Sequence, residues 1–319
     1  MIILIYLKIR GRLGNQFFQY ATVKNFQMKF FPEEKISIDF SDLKKLGTKE
    51  EGFEDSLKYF NVEKYETVSK INANLFQRIL IFLMRIPNPL LRKIGLKNKA
   101  DIVSYNIEKK VQPFLNKFGV YYMIHGYYKF KPSKSKNKIF IGNFESPKYF
   151  DENKEYFQKV FTPKFKIEKS NKELYDKIIN NDSICITIRR GDFVSNKEFS
   201  KVHYVCNNEY FYKGIKKISK KVKKPLLVVF SDDIDWVKKN MKFENDAIFE
   251  SGNDSIWEKV RLMSACKHFV ISNSTFSWWT QYLSTNKNKI VIAPKKWKNI
   301  SYKKDSKDLD IYEDFWIRI

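Results

Sequence analysis

The second half of the chain repeats one pattern three times: a short apolar run, a cluster of polar residues, and then a stretch with helical periodicity. The apolar runs cover residues 184–188, 226–230 and 269–271. Runs this short and rich in β-branched residues favour strands, and strands that alternate with helices are typical of a parallel, doubly wound sheet. Because loops at the carboxyl ends of parallel strands meet at one edge, we expect the three polar clusters to line one ligand crevice.

The first polar cluster is Arg189-Arg190-Gly191-Asp192. Two guanidinium groups at the end of a strand can bind phosphate oxygens in bidentate fashion. The same four residues would also suit a solvated turn with a surface ion pair. The cluster is therefore a candidate phosphate site that depends on what the other two clusters contribute.

The second and third clusters lie at 231–233 and 272–277. Ser231, Asp232 or Ser274 would serve as helix caps without any ligand. The third cluster is richer in hydroxyl groups than capping requires, and hydroxyls beside the N–H groups of a helix start form an anion site. With the two arginines, these loops predict a diphosphate site in which cations and hydroxyl groups take the place of a metal.

The N-terminal region begins with the apolar run 2–7, which predicts a buried first strand. The loop Gly11-Arg12-Leu13-Gly14-Asn15-Gln16 and a helix-like stretch follow it. Glycines let backbone N–H groups approach a ligand closely, and Asn15 either caps the helix or reaches into a cleft. The spacing differs from the dinucleotide-binding pattern, so these residues alone favour a tight structural turn over a ligand site.

Length and charge limit the classes of function. A chain of 319 residues is long enough for about two domains, and the charged stretch 151–171 is where we expect the chain to pass between them. The formal charge of +24 favours polyanionic partners: nucleic acid, an anionic membrane surface or phosphorylated small molecules. The lysine-rich runs lack the interleaved aromatic residues of a nucleic-acid reader, so we expect no nucleic acid and a mostly solvated basic surface.

Three cysteines, Cys185, Cys206 and Cys266, have neither paired spacing nor metal-ligand spacing, which indicates a reducing compartment. No segment reaches the about 20 consecutive apolar residues of a membrane helix. We therefore expect a cytoplasmic protein, either soluble or peripheral at the inner face of the membrane.

Two further segments each allow two interpretations. Residues 75–86 form an apolar, basic, helical run that suits either a core helix or a helix lying on a membrane surface. Residues 142–150 place aromatic and polar side chains after a predicted strand, as in the wall of a sugar-binding cleft, or as in an ordinary packed loop.

Two segments match the Asp-x-Asp spacing of metal-dependent sugar-nucleotide enzymes: Asp233-Ile234-Asp235 and Asp308-Leu309-Asp310. Chance matches to so short a motif are common, and we expect no metal.

Taken in order, the motifs resemble those of bacterial α-1,2-fucosyltransferases of glycosyltransferase family 11. The resemblance rests on the segments 11–21, 189–193, 230–233 and 272–279. Residues 142–150 resemble a further segment of that family, from which Asn143, Glu145 and Pro147 depart. The resemblance covers nearly the whole chain.

This resemblance implies an α/β protein of GT-B type, with two Rossmann-like domains facing across a cleft. Residues 1–165 would form an N-terminal acceptor-side domain with the Gly-Asn loop, and residues 166–319 a C-terminal GDP-fucose-binding domain. The implied reaction is inverting transfer of L-fucose from GDP-β-L-fucose to the 2-hydroxyl of a terminal galactose in an oligosaccharide or lipid-linked glycan. The reaction needs neither metal nor cofactor. It would belong to carbohydrate metabolism, in the synthesis of a bacterial surface polysaccharide. The protein would contact an anionic membrane peripherally.

The resemblance also assigns roles to residues. Arg190 would hold the β-phosphate and neutralise the leaving GDP, with Arg189 in support. Ser274, Thr275 and Ser277 would hold the diphosphate. Asp232 would approach the nucleoside. Gly14 and Asn15 would complete donor binding by closing the cleft from the other domain.

The chain departs from the family at Thr187, where a histidine is usual two positions before the first arginine. A threonine hydroxyl does not titrate near neutral pH and cannot act as a general base. Asp192 is then the candidate base, and its alternative role is to orient Arg190 through an ion pair. The alternative functions are another nucleotide-sugar-dependent GT-B glycosyltransferase and, from a different class, a basic nucleic-acid-binding protein.

Overall fold

The computed structural model describes residues 4–47, 52–93, 95, 97–299 and 310–319. These residues divide into two compact units. The first contains the described residues within 1–58, 62–155 and 300–312, and the second contains 59–61, 156–299 and 313–319.

The first unit contains a five-stranded sheet in which every pairing is parallel. Its strands are β1 (Leu4–Lys8), β2 (Lys35–Asp39), β3 (Glu66–Val68), β4 (Val120–Met123) and β5 (Asn137–Gly142), in the order β3-β2-β1-β5-β4. Its helices are α1 (Leu13–Phe30), α2 (Ser41–Gly47), α3 (Leu75–Arg85), α4 (Pro87–Lys93) and α5 (Lys97–Lys117).

Aromatic packing fills the core of this unit. Tyr121 of β4 and Phe140 of β5 stack with ring centroids 4.3 Å apart, and Phe26 of α1 meets the Phe140 ring edge-on at 5.1 Å. The apolar and aromatic runs 36–39, 121–123 and 139–141 form strands of this sheet. The predicted first strand is confirmed from Leu4 onward, and residues 1–3 lie outside the described residues.

Polar residues of α5 cover the edge strand β4, a feature that the sequence did not predict. Glu108 accepts hydrogen bonds from the backbone N–H groups of Ile124 (3.0 Å) and His125 (3.1 Å). The His125 ring also contacts Glu108 at 3.2 Å and Asp101 at 3.4 Å. Burial alone would lower the pKa of His125, but the hydrogen bonds and charges of the two carboxylates raise it to about 9. This buried ionic group therefore fixes the backbone that follows β4 to helix α5.

The second unit contains a six-stranded, all-parallel sheet in the order β11-β10-β9-β6-β7-β8. Its strands are β6 (Ser183–Ile188), β7 (Leu226–Ser231), β8 (Ala247–Phe249), β9 (His268–Val270), β10 (Val291–Ala293) and β11 (Ile317–Arg318). The helices from residue 154 onward are α6 (Lys154–Val160), α7 (Lys172–Asn180), α8 (Gly191–Ser195), α9 (Lys197–His203), α10 (Asn208–Ser219), α11 (Ile234–Asn240), α12 (Ile256–Ala265) and α13 (Thr275–Leu283).

The threefold strand, polar loop and helix pattern is confirmed in this unit. Strand β6 lies between β9 and β7, so the three predicted polar loops leave neighbouring strands. The central strands read as continuous apolar runs because both faces of the sheet are covered, and Ile186, Val229 and Val270 are fully buried.

The structure decides between interpretations that the sequence left open. The core-helix interpretation of residues 75–86 is wrong for most of α3, because Leu75 is 75% and Phe82 64% exposed. In the 142–150 segment, Phe144 and Phe150 are fully buried and Tyr149 nearly so, which favours a packed loop over an aromatic sugar-binding wall.

No helix in the described part of the chain is long and apolar enough to cross a membrane. The described residues also contain no group of three or more His, Cys, Asp or Glu side chains placed to hold a metal ion. Of the two Asp-x-Asp segments, Asp308 and Leu309 lie outside the described residues.

Candidate functional site

The carboxyl ends of β9, β6 and β7 place the three polar loops side by side. The register pairs Ile186 with Val270 on one side of β6 and Ile188 with Ser231 on the other. Arg189 and Arg190, which follow β6, are therefore flanked by the loop after β7 and the loop after β9.

Arg189 is fixed by two carboxylates. Its Nη2 atom donates to Asp192 Oδ1 at 2.7 Å, and its Nη1 atom lies 2.8 Å from Asp232 Oδ2. Two negative charges thus more than neutralise this one guanidinium group, which suits a positioning role better than an anion site.

Arg190 is fixed differently. Its backbone N–H donates to Asp232 Oδ1 at 2.8 Å, and its Nε atom donates to Asp233 Oδ2 at 3.1 Å. The guanidinium group lies over the Trp236 ring, 3.2 Å from the centroid, a cation–π contact. Among the described residues, the two terminal Nη groups have no hydrogen-bond acceptor, so they remain available for an anion.

Gly191 is required for this arrangement. A Cβ atom at this position would lie 2.5 Å from Asp232 Oδ2, closer than nonbonded atoms approach. The absence of a side chain lets the Asp232 carboxylate reach both Arg189 and the backbone of Arg190.

The contacts bear on the two predicted aspartates. Asp192 was expected to orient Arg190 if it was not the base, and that alternative is wrong, because its ion pair is with Arg189, whereas the side chain of Arg190 pairs with Asp233. Asp232 binds the arginine segment with both of its carboxylate oxygens. Its predicted contact with a nucleoside stays a prediction.

The third loop is tied to β6 through Thr187. The Thr187 hydroxyl, 3% exposed, accepts a hydrogen bond from the backbone N–H of Ser272 at 3.1 Å. The Ser272 and Ser277 hydroxyl groups lie 3.1 Å apart, and both residues are buried. Ser277 therefore stabilises the loop, and its predicted direct contact with a diphosphate stays a prediction.

Ser274 and Thr275 lie at the start of α13 and are partly exposed. Ser274 is the residue before the helix, yet its side chain makes no capping hydrogen bond, so the capping explanation does not account for it. The first N–H groups of a helix have no partner within it and carry a partial positive charge. Three of the predicted donor-binding residues thus lie on this edge of the sheet, one in the arginine loop and two at the start of α13: Arg190, Ser274 and Thr275.

In the first unit, the predicted residues Gly14 and Asn15 lie in the first turn of α1. Asn15 does not cap the helix; its Nδ2 atom donates to Glu145 Oε1 at 3.5 Å. Gly14 is buried within the turn. These two residues belong to a different unit from the arginine loop.

Sequence reasoning missed two kinds of residue. Gln16 and Gln19, both fully buried, hold the glycine loop of the first unit through side-chain hydrogen bonds to its backbone. Trp236, which stacks on Arg190, lies three positions after Asp233 on the following helix. That spacing puts both side chains on one helical face, and it was the available signal.

Comparisons with known proteins agree with the fold and the motifs. The model of glycosyl transferase family 11 matches residues 4–319. An alpha-1,2-colitosyltransferase of Escherichia coli is 31% identical over 99% of both chains, and an O-antigen biosynthesis glycosyltransferase, WbnK, of the same species is 28% identical over 92% of this chain and 94% of the relative. A galactoside 2-alpha-L-fucosyltransferase, Sec1, of Mus musculus is 28% identical over 32% of this chain and 28% of the relative.

Solved structures of low sequence identity share the architecture. The fucosyltransferase NodZ from Bradyrhizobium has a TM-score of 0.52 at 12% identity, covering 89% of this chain and 92% of that chain. A NodZ alpha-1,6-fucosyltransferase co-crystallised with GDP gives 0.51 at 13% identity with the same coverage. With its two parallel α/β sheets of Rossmann type and a family model that matches nearly its whole length, the chain belongs to glycosyltransferase family 11 and is a glycosyltransferase of GT-B type.

Proposed function

We propose that the protein transfers L-fucose from GDP-β-L-fucose to the 2-hydroxyl of a terminal galactose in an oligosaccharide or lipid-linked glycan, with inversion. The observation that carries this proposal is the Arg190 guanidinium group, held by Asp233 and Trp236 with both Nη groups unpaired among the described residues. A nucleoside diphosphate offers the paired anionic oxygens that such a planar donor binds best.

The ion pairs around the two arginines do not attract an anion by their net charge, so the proposed site needs further donors. Arg189 and Arg190 face three carboxylates, those of Asp192, Asp232 and Asp233, so these ion pairs leave one net negative charge. The start of α13, with Ser274 and Thr275, supplies further N–H and hydroxyl donors. The formal charge of +24 adds a long-range attraction for anionic donors.

In the proposed reaction, the acceptor oxygen attacks the anomeric carbon from the face opposite to GDP. The bond from that carbon to the β-phosphate oxygen breaks, and its electron pair leaves with GDP. Arg190 stabilises the charge that develops on the phosphate, a contribution that is often the largest single one in group transfer. Arg189 keeps the loop in place through its two carboxylate partners.

Asp192 is the proposed acceptor of the proton from the attacking hydroxyl. Its Oδ1 atom binds Arg189, and in the described part of the chain its Oδ2 atom has no partner. The carboxylate side chain is 45% exposed, which leaves it reachable for an acceptor sugar. Thr187 takes no part in proton transfer, because its hydroxyl accepts the Ser272 N–H.

The remaining assignments belong to the same proposal. We assign the GDP-fucose-binding domain to residues 166–319 and the acceptor-side domain to residues 1–165, from which Gly14 and Asn15 would contribute to donor binding. Three free, buried cysteines are consistent with a reducing compartment, and we propose that the reaction takes place in the bacterial cytoplasm, beside the membrane that carries a lipid-linked acceptor.

Transfer of colitose is the second candidate, because a relative that matches 99% of the chain is an alpha-1,2-colitosyltransferase. Use of a different nucleotide sugar by the same fold is a broader form of this alternative. Both keep the phosphate site and change the sugar that it presents.

A donor panel separates these candidates. The purified chain is incubated with a β-galactoside and, in turn, with GDP-fucose, nucleotide-activated colitose and UDP-sugars, and the product linkage is determined by NMR. We expect an α-1,2-fucosylated galactose and saturable thermal stabilisation by GDP alone. Transfer from colitose but not fucose would establish the second candidate, and activity with UDP-sugars only would contradict both.

A further inference from the structure

Helix α3 carries its apolar stripe on the outside. Gln77 and Leu80 face the protein interior and are 1% and 6% exposed. The opposite side, which continues into α4, has exposed apolar side chains at helical spacing: Leu75, Phe76, Ile79, Phe82, Leu83, Ile86 and Leu90. An ordinary surface helix has the reverse arrangement, with its apolar stripe towards the core.

The stripe continues onto α5. Phe114 is 52% exposed, and its ring lies 6.5 Å from that of Phe76. Phe118 contacts both rings, at 4.7 Å and 5.0 Å. The exposed stripe of α3 and α4 together with Phe114 is called the apolar face below. Contiguous exposed apolar surface of this kind marks an interaction site.

The charges around the apolar face have one sign. From residue 69 to residue 144 the sequence has fifteen Lys and Arg residues and two acidic residues, Asp101 and Glu108. Both acidic side chains are buried against His125. The exposed charges of this segment are therefore all positive.

Four of these cations border the apolar face directly. Arg78 and Arg85 of α3 lie three or four positions from Phe82 and are exposed. Lys110 and Lys117 of α5 have the same relation to Phe114 and are also exposed. An apolar stripe bordered by Arg and Lys is the pattern of helices that lie in the interface of an anionic bilayer, with the long basic side chains reaching the headgroups.

Other occupants suit the face less well. A second copy of the chain, packed about a twofold axis, would bring two uniformly positive borders together. Nucleic acid would use the cations but leave the large apolar side chains exposed. A bilayer with anionic headgroups satisfies both components at once.

We propose that the apolar face docks the protein on an anionic lipid surface, with the side chains of Phe82, Leu83 and their neighbours inserted at the headgroup boundary. This inference rests on the proposed function only for its purpose, which is to hold the enzyme beside a lipid-linked acceptor. The binding step itself needs neither donor nor acceptor.

Vesicle flotation of the full-length chain tests the proposal without any sugar nucleotide, so failure of the proposed function would not affect it. Binding is measured to vesicles of phosphatidylcholine alone and of phosphatidylcholine mixed with phosphatidylglycerol. We expect stronger binding to the anionic vesicles, weakening as salt is raised. Equal binding to both compositions, or no binding, would overturn the proposal.

Two double variants address the apolar and cationic parts separately. Phe82→Ser with Leu83→Ser is expected to lower the partition coefficient about tenfold or more, because two inserted side chains are lost. Arg78→Gln with Arg85→Gln is expected to lower binding to anionic vesicles by about tenfold and to leave binding to neutral vesicles unchanged. The matched control, Ile179→Ser with Phe315→Ser, removes comparably exposed apolar side chains of the second unit and should change binding less than about twofold.

Circular dichroism and sedimentation accompany each variant. Unchanged melting curves show that the serine and glutamine variants remain folded, as expected for exposed positions. A wild-type dimer that the Phe82→Ser, Leu83→Ser variant converts to a monomer would assign the face to a second copy and overturn the lipid proposal.

Discussion

Two strand-to-helix loops of the molecule are held in opposite ways. The loop after β1 is held by neutral amides: the fully buried Gln19 side chain donates to Arg10 O (2.8 Å) and accepts from Arg10 N–H (3.0 Å). The loop after β6 is held by ion pairs of Arg189 and Arg190 whose side chains remain partly exposed. Both loops leave a central strand of a parallel sheet, so topology alone does not explain the difference.

The difference concerns what an incoming ligand can replace. The buried hydrogen bonds between side-chain amides and the backbone have no alternative partner, and losing one leaves an unsatisfied buried group. A partly exposed ion pair contributes about 1 kcal/mol or less, so a diphosphate can compete for the guanidinium group. The first loop is thus built to keep one shape, and the second to hold charge that can change partners.

The largest expected effect comes from removing the Arg190 guanidinium group, which we expect to exchange its protein partners for the diphosphate. Arg190→Ala should lower kcat about a thousandfold, because the leaving diphosphate loses its main cation. Arg190→Lys keeps the charge but loses the planar donor pair, and should recover only part of the rate. Steady-state kinetics with GDP-fucose and a β-galactoside measures both. Near-normal turnover in Arg190→Ala would contradict the proposed site.

A substitution in the loop after β1 should lower the stability of the protein, and the loss should not depend on salt concentration. Gln16, fully buried, donates to Glu54 O (2.7 Å) and Gly11 O (3.1 Å) and accepts from Ser56 N–H (3.0 Å). Gln16→Leu leaves these groups unsatisfied and should lower the free energy of unfolding by about 3 kcal/mol. Urea titrations at low and high salt measure the loss, which should be the same in both. A loss that shrinks in high salt would mean that this loop, too, is held by charge.

The two loops also differ in how far the sequence predicted them. The loop after β6 has a local signature, since a short β-branched run ending at Arg189 and Arg190 fixes a strand, its end and its charge at once. The neighbouring positions of the three loops followed from strand alternation and parallel topology. What could not be predicted is which carboxylate pairs with which arginine, because Asp192, Asp232 and Asp233 are close in sequence and only the fold sets their distances.

In the first unit, the tertiary contacts override the local pattern. An apolar helical run such as residues 75–86 looks the same whether its stripe faces the core or the solvent, so α3 was ambiguous. The amides of Gln16 and Gln19 carry no charge pattern or spacing signal. The contacts of His125 likewise had no signal in the sequence. Its partners Asp101 and Glu108 lie on helix α5, 17 or more positions earlier, so no helical or turn spacing links them to His125.

A smaller effect is expected at Asp192, where the role of general base can be separated from the role of ion-pair partner of Arg189. If Asp192 is the base, Asp192→Asn should lower kcat about a hundredfold, because an amide cannot accept the proton. Asp233→Asn serves as the comparison, since it removes the carboxylate partner of Arg190 and keeps the proposed base, so its loss of rate reports on Arg190 and not on proton transfer. Turnover within a few-fold of wild type in Asp192→Asn would reduce Asp192 to a partner of Arg189.

The smallest predicted effect tests whether activity depends on the close approach of the Asp232 carboxylate to the backbone at Gly191. In Gly191→Ala, the new Cβ would meet Asp232 Oδ2 at 2.5 Å, and that oxygen cannot swing away freely because Arg189 holds it at 2.8 Å. We expect kcat to fall about fivefold to tenfold as the carboxylate shifts and Arg190 with it.

The double variant with Asp232→Ser separates this clash from a backbone effect of alanine. If the clash is the cause, Gly191→Ala should cost almost nothing further once Asp232 is shortened, a coupling of about 1 kcal/mol in a double-mutant cycle. Additive losses would instead place the effect in the backbone, and the close approach of Asp232 would then not be what positions Arg190.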